Sequence, residues 1–436
     1  MQIDGLIGAN GITPAAELLE VARDRLGGWG VHYLPTVLWL TGASDFALNA
    51  VCAVGVTAGI ALAMSWRPGL AGVAAWLAYL SLVSVGEPFT SFQWDALLLE
   101  AGVVGWFAAS PEPRLGVWLA RGLLLKLMFL SGAVKLLSGD STWRDLTALT
   151  YHWWTQPLPS PLAAFAASAP LAVQRLATGV TLAVELVVPW GILGPRRGRR
   201  AAGALLVGLQ LLIAATGNYG FFNVLALVLC LSLLDSPEPP RETRLRIPLR
   251  AAAGALALAS LIVALERVTP ETSLPGVLRA AVAPLGPLRS VSSYGLFAVM
   301  TQERPEIELE GSADGVTWRQ YEFRWKPGAL DRAPRFTGPH MPRLDWQLWF
   351  AALGRCEHEP WLHRFLFRVL EGSASVTALM ADDPFAGAPP RYLRTTLWQY
   401  RFAGRDSWWA RSEPRTYCPT VTLRDGRLAL ADDLPE

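Results

Sequence analysis

Glu100, Lys126 and Glu185 interrupt otherwise apolar runs of this sequence. An ionised side chain at the centre of a membrane-spanning helix costs about 2.5–3.5 kcal/mol on insertion scales. Charges kept there against that cost do one of two things. They neutralise one another as ion pairs between helices, with long side chains near span ends reaching for the interface, or they gather in a polar pocket for a substrate or lipid head group. Arg121 and Lys135 lie fourteen residues apart, close to a whole number of helical turns, so they share a helix face. Lys126 points elsewhere and needs its own partner.

A second chemistry-bearing group fills residues 131–161, SGAVKLLSGDSTWRDLTALTYHWWTQPLPSP. Lys135, Asp140, Trp143, Arg144, Asp145, Tyr151, His152, Trp153 and Trp154 crowd into it, and three prolines close it. A plain connector is short and polar; this mixture suits a folded loop at a membrane surface, where function concentrates. His152 is the sole histidine of the loop, with Asp140 and Asp145 near in sequence, and reads either as a hydrogen-bonding residue or as a catalytic base. In FTSFQWD (89–95), Trp94 suits an interface belt and Asp95 a helix cap. In GNYGFFN (217–223), Gly217 and Gly220 supply flexible φ and Asn218 tolerates the left-handed region, as a hairpin turn needs.

The elements that must position these residues follow from composition. Of 436 residues, 52% are hydrophobic and 17% charged, against roughly a quarter charged in an average soluble domain. At about 20 residues per crossing, apolar spans fall at 44–64, 69–86, 95–110, 116–137, 174–194, 201–216, 220–235 and 250–266. That makes eight, unless the short 95–110 segment is re-entrant. PRRGRR (195–200) and Arg241, Arg244, Arg246 and Arg250 flank the hairpin, and positive charge marks the cytoplasmic side. The alternation then puts 87–94, 138–173 and everything after the last span on the opposite, non-cytoplasmic face. It also puts the N-terminus there, although residues 1–28 lack the succession of a signal peptide and 14–26 read as an amphipathic surface helix. A hydrophobic helix ahead of residue 1 is the expected missing piece. The domains are therefore 1–33, an extracytoplasmic amphipathic segment; 34–287, the transmembrane domain; and 288–436, a soluble extracytoplasmic domain.

In that last domain, Ile307 and Leu309 alternate with Glu306, Glu308 and Glu310; a turn follows at 313–315, and then Tyr321, Phe323 and Trp325. The pattern predicts a hairpin with one buried face, 391–402 predicts another strand, and 343–353 and 360–371 predict helices. A β-sandwich with helical insertions is the expected architecture. Cys356 and Cys418 sit in this oxidising compartment and can pair. Neither GxSxG, HExxH nor a P-loop occurs, no paired histidine ligands suggest a metal, no cofactor is implied, and nothing points to nucleic acid.

Five blocks in order, SLVSVGEPFTSFQWDALLLEAG (81–102), GAVKLLSGDSTWRDLTALTYHWWTQPLPSPLA (132–163), VELVVPWGILGPRR (184–197), TGNYGFFN (216–223) and SVSSYGLFAVMTQERPEIELEGSADGVTWRQYEFRWKPG (290–328), resemble the lipase maturation factor family, and PRLDWQLWFAALG (342–354) extends the likeness. Members usually carry a further hydrophobic helix ahead of the segment matching QIDGLIGANGITPA. Animal members sit in the endoplasmic reticulum membrane and help secreted lipases reach their active form; the Arg-, Ala- and Gly-rich composition here suits a bacterial member in the inner membrane, its domain in the periplasm. The resemblance implies a mainly α polytopic membrane domain with an α+β external domain, acting as a maturation factor on exported clients, lipases among them, in contact with membrane lipid. The alternative is a membrane enzyme for a lipid or lipid-linked substrate, with Glu100, Lys126, Glu185 and His152 as its polar centre. Geometry discriminates: convergence on one cavity favours the enzyme, and local pairing favours client binding.

Overall fold

Among the described residues of the computed structural model, six helices are long and apolar enough to cross a membrane: Asp45–Ala63, Pro68–Val85, Pro113–Leu137, Leu171–Leu193, Arg196–Thr216 and Arg246–Val268. The model describes residues 2–234, 246–269, 274–403 and 407–431; Arg241 and Arg244 of the second arginine cluster lie outside them. Local chemistry sets the helix starts. The Ser44 hydroxyl accepts from the Ala47 N–H, and Pro68 and Pro113 occupy first-turn positions where a missing N–H costs nothing. Of the eight expected spans, the other two are shorter: Gln93–Ala108 has 16 residues and Phe222–Cys230 has 9. Sixteen residues rise only about 24 Å, below the ~30 Å of a bilayer core, so six rather than eight meet the full span length.

Pro113–Leu137 is the centre of the bundle. It packs on Gln93–Ala108, Leu171–Leu186, Phe222–Cys230 and Arg246–Val268, with Leu124, Leu127 and Met128 in a core shared with Leu97, Leu206 and Ala226.

The C-terminal region holds one antiparallel sheet: β1 (Pro305–Ser312), β2 (Trp318–Tyr321), β3 (Tyr392–Phe402), β4 (Trp409–Thr416), β5 (Val421–Arg424) and β6 (Arg427–Leu430), in the order β2-β1-β3-β5-β6 with β4 also on β3. The expected hairpin is present, pairing Leu309 with Tyr321 and Ser312 with Trp318. The expected sandwich is not. Among the described residues there is a single sheet, and Arg343–Leu353 and Pro360–Leu370 pack where a second sheet would lie. Period-2 alternation reports a covered face and is silent on what covers it. The single-buried-face expectation also fails for β1, whose outward Glu306 and Glu308 are 1% and 5% exposed. Both are buried because both are paired, Glu306 with Arg304 and Lys326 and Glu308 with Arg411.

The N-terminal segment belongs to this domain's core. Leu6, Ile7, Ile12 and Leu19 join one cluster with Leu348, Phe365 and Leu393 and with Leu48 and Val85 from the first two spans. Gly5 crosses so closely that a Cβ there would stand 2.3 Å from the Ser375 carbonyl oxygen. Ala15–Leu26 is amphipathic as expected, but its apolar side (Ala15, Leu19, Ala22) is buried. Cys356 and Cys418 are disulfide-bonded within the same cluster.

Candidate functional site

The intramembrane charges resolve into separate pairs. Lys126 Nζ lies 2.5 Å from Glu100 Oε1 and donates to Ser260 Oγ at 2.7 Å. The other Glu100 oxygen accepts from the Tyr294 hydroxyl at 2.6 Å and the Ser292 N–H at 3.1 Å, so this carboxylate joins the bundle to the chain entering the sheet domain. Nine residues on, Lys135 meets both oxygens of Glu185 at 2.8 and 2.7 Å, with the Trp143 ring 5.1 Å away. Arg121, on the same face as Lys135, instead donates to the Ser232 carbonyl at the far end of the bundle. A charge inside hydrocarbon persists only if paired, and these are. Glu100, Lys126, Glu185 and His152 do not converge. None lines the cavity of about 530 Å³ beside Glu87 and Arg289, nor that of about 340 Å³ beside Arg304 and Tyr400.

The 138–173 loop, expected to be a folded loop at the membrane surface, is covered by the sheet domain: Trp143 is buried and Tyr151, Trp153 and Trp154 are half-buried. Trp143 is 2% exposed and donates to the Phe297 carbonyl at 3.0 Å. Asp140 caps Ser141–Arg144 through the Thr142 N–H and accepts from the Met300 N–H at 2.5 Å. Tyr151 packs against the same small core as Trp143, Leu182 and Met300. The Ala148–Thr155 helix lies under the domain, where the Trp349 indole donates to the Thr155 carbonyl at 2.9 Å.

After that helix the chain reads Gln156-Pro-Leu-Pro-Ser-Pro161, a run whose prolines lack N–H groups and whose carbonyls find no regular ladder. Two side chains supply the donors. Arg304, fully buried, donates to the carbonyls of Trp154 (2.7 Å), Gln156 and Pro157 (2.8 Å) and pairs with Glu306 at 2.7 Å. Asn218 Nδ2 donates to Leu158 O at 3.1 Å and Arg335 O at 2.8 Å, while its Oδ1 accepts from the Thr337 N–H at 2.8 Å. The left-handed role expected of Asn218 is not seen; only Gly220 of this turn has positive φ, at 58°. Gly217 has φ −152° and is required by proximity instead, since a Cβ would stand 2.2 Å from Gln156 Oε1.

His152 completes the wall. Its Nε2 is 3.1 Å from the Tyr219 hydroxyl, which itself donates to Gln156 Oε1 at 2.7 Å. The tyrosine proton being committed, Nε2 must carry the donor, and Nδ1 is left buried without a partner. Burial first, and the nearby Lys135 charge second, push the imidazole pKa down to about 3. The ring is neutral and its N–H engaged, which suits a structural hydrogen bond.

Asp95 and Trp94 also depart from expectation. The Gln93–Ala108 helix starts at Phe92 without a side-chain cap. The Asp95 carboxylate instead binds Arg343 in two-pronged fashion (2.7 and 3.0 Å) and accepts from Tyr79. Trp94 is fully buried between Phe92 and Trp346, at ring separations of 4.6 and 4.7 Å, rather than at a lipid interface. Both shifts have one cause: the sheet domain covers this end of the bundle. Sequence reasoning missed Arg304, Arg343, Glu306 and Lys326. A faint signal was available, because Lys326 is the one lysine outside the apolar spans and Glu306 sits in a strand.

Comparison with known proteins returns one family over both halves. The model of the lipase maturation factor transmembrane domain matches residues 1–239, and that of the lipase maturation factor C-terminal domain matches 290–419. Lipase maturation factor 2 of Gallus gallus is 33% identical over 584 residues, covering 100% of this chain and 81% of the relative. Lipase maturation factor 1 of Bos taurus is 33% identical over 480 residues, covering 97% and 85%; that of Homo sapiens is 31% identical over 478 residues, covering 97% and 84%. No solved structure matches.

Proposed function

This chain belongs to the lipase maturation factor family, and we propose that it is a membrane-anchored maturation factor that binds exported proteins, lipases among them, on the non-cytoplasmic face of a bacterial inner membrane. The observation carrying the binding mode is the local pairing of Glu100–Lys126 and Glu185–Lys135, which commits the intramembrane charges to helix packing. The arginine distribution supports the sidedness: Arg199 and Arg200 donate to the carbonyls of Leu233 and Leu234, at the end of the bundle away from the sheet domain. Phe165 and Leu162, 80% and 47% exposed, lie at the rim of the domain-side loop and offer apolar contact to a client.

The function is tested by deleting the gene and measuring secreted lipase activity per lipase molecule. Activity per molecule falls if lipases are clients; unchanged specific activity with unchanged secretion overturns that assignment. Orientation is tested in a background with Cys52 and Cys230 replaced. Cysteines introduced at the exposed positions Ser141 and Val316 should react with a membrane-impermeant thiol reagent in spheroplasts, and one at Arg197 should not. Reaction at Arg197 alone reverses the sidedness.

A further inference from the structure

A cavity of about 530 Å³ opens where the Pro68–Val85 and Arg246–Val268 spans reach the domain side of the bundle. That volume is within the range of small-ligand sites. Its walls combine opposite characters. Glu87 and Arg289 form an ion pair at 2.6 Å in its lining, which Ser91 and Ser293 share, the Ser91 hydroxyl donating to the Pro88 carbonyl, while Val263 of the last span supplies an apolar wall. Arg289 has φ 48°, a left-handed backbone that a non-glycine residue holds only when its surroundings impose it, and such strain collects at binding sites. The Glu87 side chain is 58% exposed and that of Arg289 24%, so neither charge is locked away from a ligand.

We propose that this cavity binds the head group of a zwitterionic membrane phospholipid carrying a primary ammonium. Arg289, with the Ser293 hydroxyl, takes the phosphodiester, since a guanidinium matches phosphate oxygens in geometry and charge. The Glu87 carboxylate accepts from the ammonium. The ligand dipole replaces the Glu87–Arg289 pair with two equivalent contacts, and the acyl chains leave past Val263 along the lipid-facing side of Arg246–Val268, a helix only 17% buried. A quaternary ammonium has no N–H to give Glu87, and an anionic head group meets Glu87 as a like charge.

The test uses the full-length protein in detergent, equilibrated with equal amounts of phosphatidylethanolamine and phosphatidylglycerol and read by native mass spectrometry. Wild type should retain the ethanolamine lipid about fivefold over the glycerol lipid, the discrimination one exposed charge contact gives. Glu87→Gln should bring the ratio near parity while total lipid retention holds, and Arg289→Gln should lower retention of both. Parity in the wild type, or a preference unchanged by Glu87→Gln, overturns the proposal. Soluble glycerophosphoethanolamine bound as tightly as the intact lipid, with nothing gained from the acyl chains, overturns the lipid as source. Because Glu87 is exposed, its variant decides the outcome even if Arg289→Gln fails to fold. The proposal stands or falls independently of client binding.

Discussion

On the domain side of the bundle, Arg304, Asn218 and Arg343 are buried or nearly so and reach across chain segments far apart in sequence, and most of their partners are backbone carbonyls. At the opposite end, Arg246 and Arg250 meet Glu112 at 2.9 and 3.0 Å with their own side chains 42% and 51% exposed. The chemistry is similar, guanidinium to oxygen, but the surroundings are not. A buried donor cannot fall back on water when its partner is lost, whereas Arg246 and Arg250 can turn to solvent, and although Glu112 is itself only 2% exposed, losing either arginine leaves it the other. The domain side is therefore where single substitutions should tell, and the far end where they should not.

The largest effect is expected from Arg304→Ala, which strips donors from the carbonyls of Trp154, Gln156 and Pro157 and leaves Glu306 with Lys326 alone. A loss of about 3–5 kcal/mol follows, seen as a much lower thermal midpoint in detergent and reduced abundance in the membrane. Should Arg304→Ala behave like a substitution at the far end, the contrast between the two ends is wrong.

Asn218→Ala comes next, at about 2 kcal/mol, because it removes the side-chain partner of the Arg335 carbonyl and of the Thr337 N–H together, while the Leu158 carbonyl keeps only the Asn218 backbone N–H. Asn218→Asp sharpens the point: it keeps the acceptor for Thr337 and loses both donor bonds, so it should recover only part of the stability measured by thermal melting.

His152 gives a pH signature confined to the domain side. Its folded pKa, lowered from 6.5 to about 3, means that below 6.5 the unfolded chain takes up a proton that the folded protein refuses. Stability is unaffected at neutral pH and falls with acidification across that interval, by about 1.4 kcal/mol near pH 5.5 from this group. Melting the wild type and His152→Gln side by side isolates the contribution, since the variant lacks it; parallel pH curves would sink the assignment. The smallest effect, under about 1 kcal/mol, is expected for Arg250→Gln at the far end, with a midpoint close to wild type.

Much of this architecture was legible in advance. The apolar runs located the six full-length candidate spans, the Ile307/Leu309 alternation located the hairpin, and the isolated Lys126 demanded a separate partner, which Glu100 supplies. Less of the site was. Trp94, Asp95, Trp143 and Asn218 were singled out by residue type, but each was given a local role: an interface belt for Trp94, a helix cap for Asp95, a surface loop for Trp143 and a hairpin turn for Asn218. Their actual partners, Trp346, Arg343, Phe297 and Arg335, all come from chain more than a hundred residues away. No local pattern encodes such distances.

The sequence by itself determined which segments are apolar enough to be candidate spans, because the cost of burying charge in hydrocarbon accrues residue by residue, and which strands alternate, because pleating is local; it overcounted by the two that form only short helices. It also determined that Lys126 would need a partner of its own, though not which one. Only the tertiary structure decided that the sheet domain covers the domain-side loops, that the N-terminal segment packs into that domain's core, and that helices take the place of a second sheet. The physical reason is that burial by a distant segment leaves no trace in periodicity: the same aromatic loop is an exposed surface or a buried wall according to what docks on it.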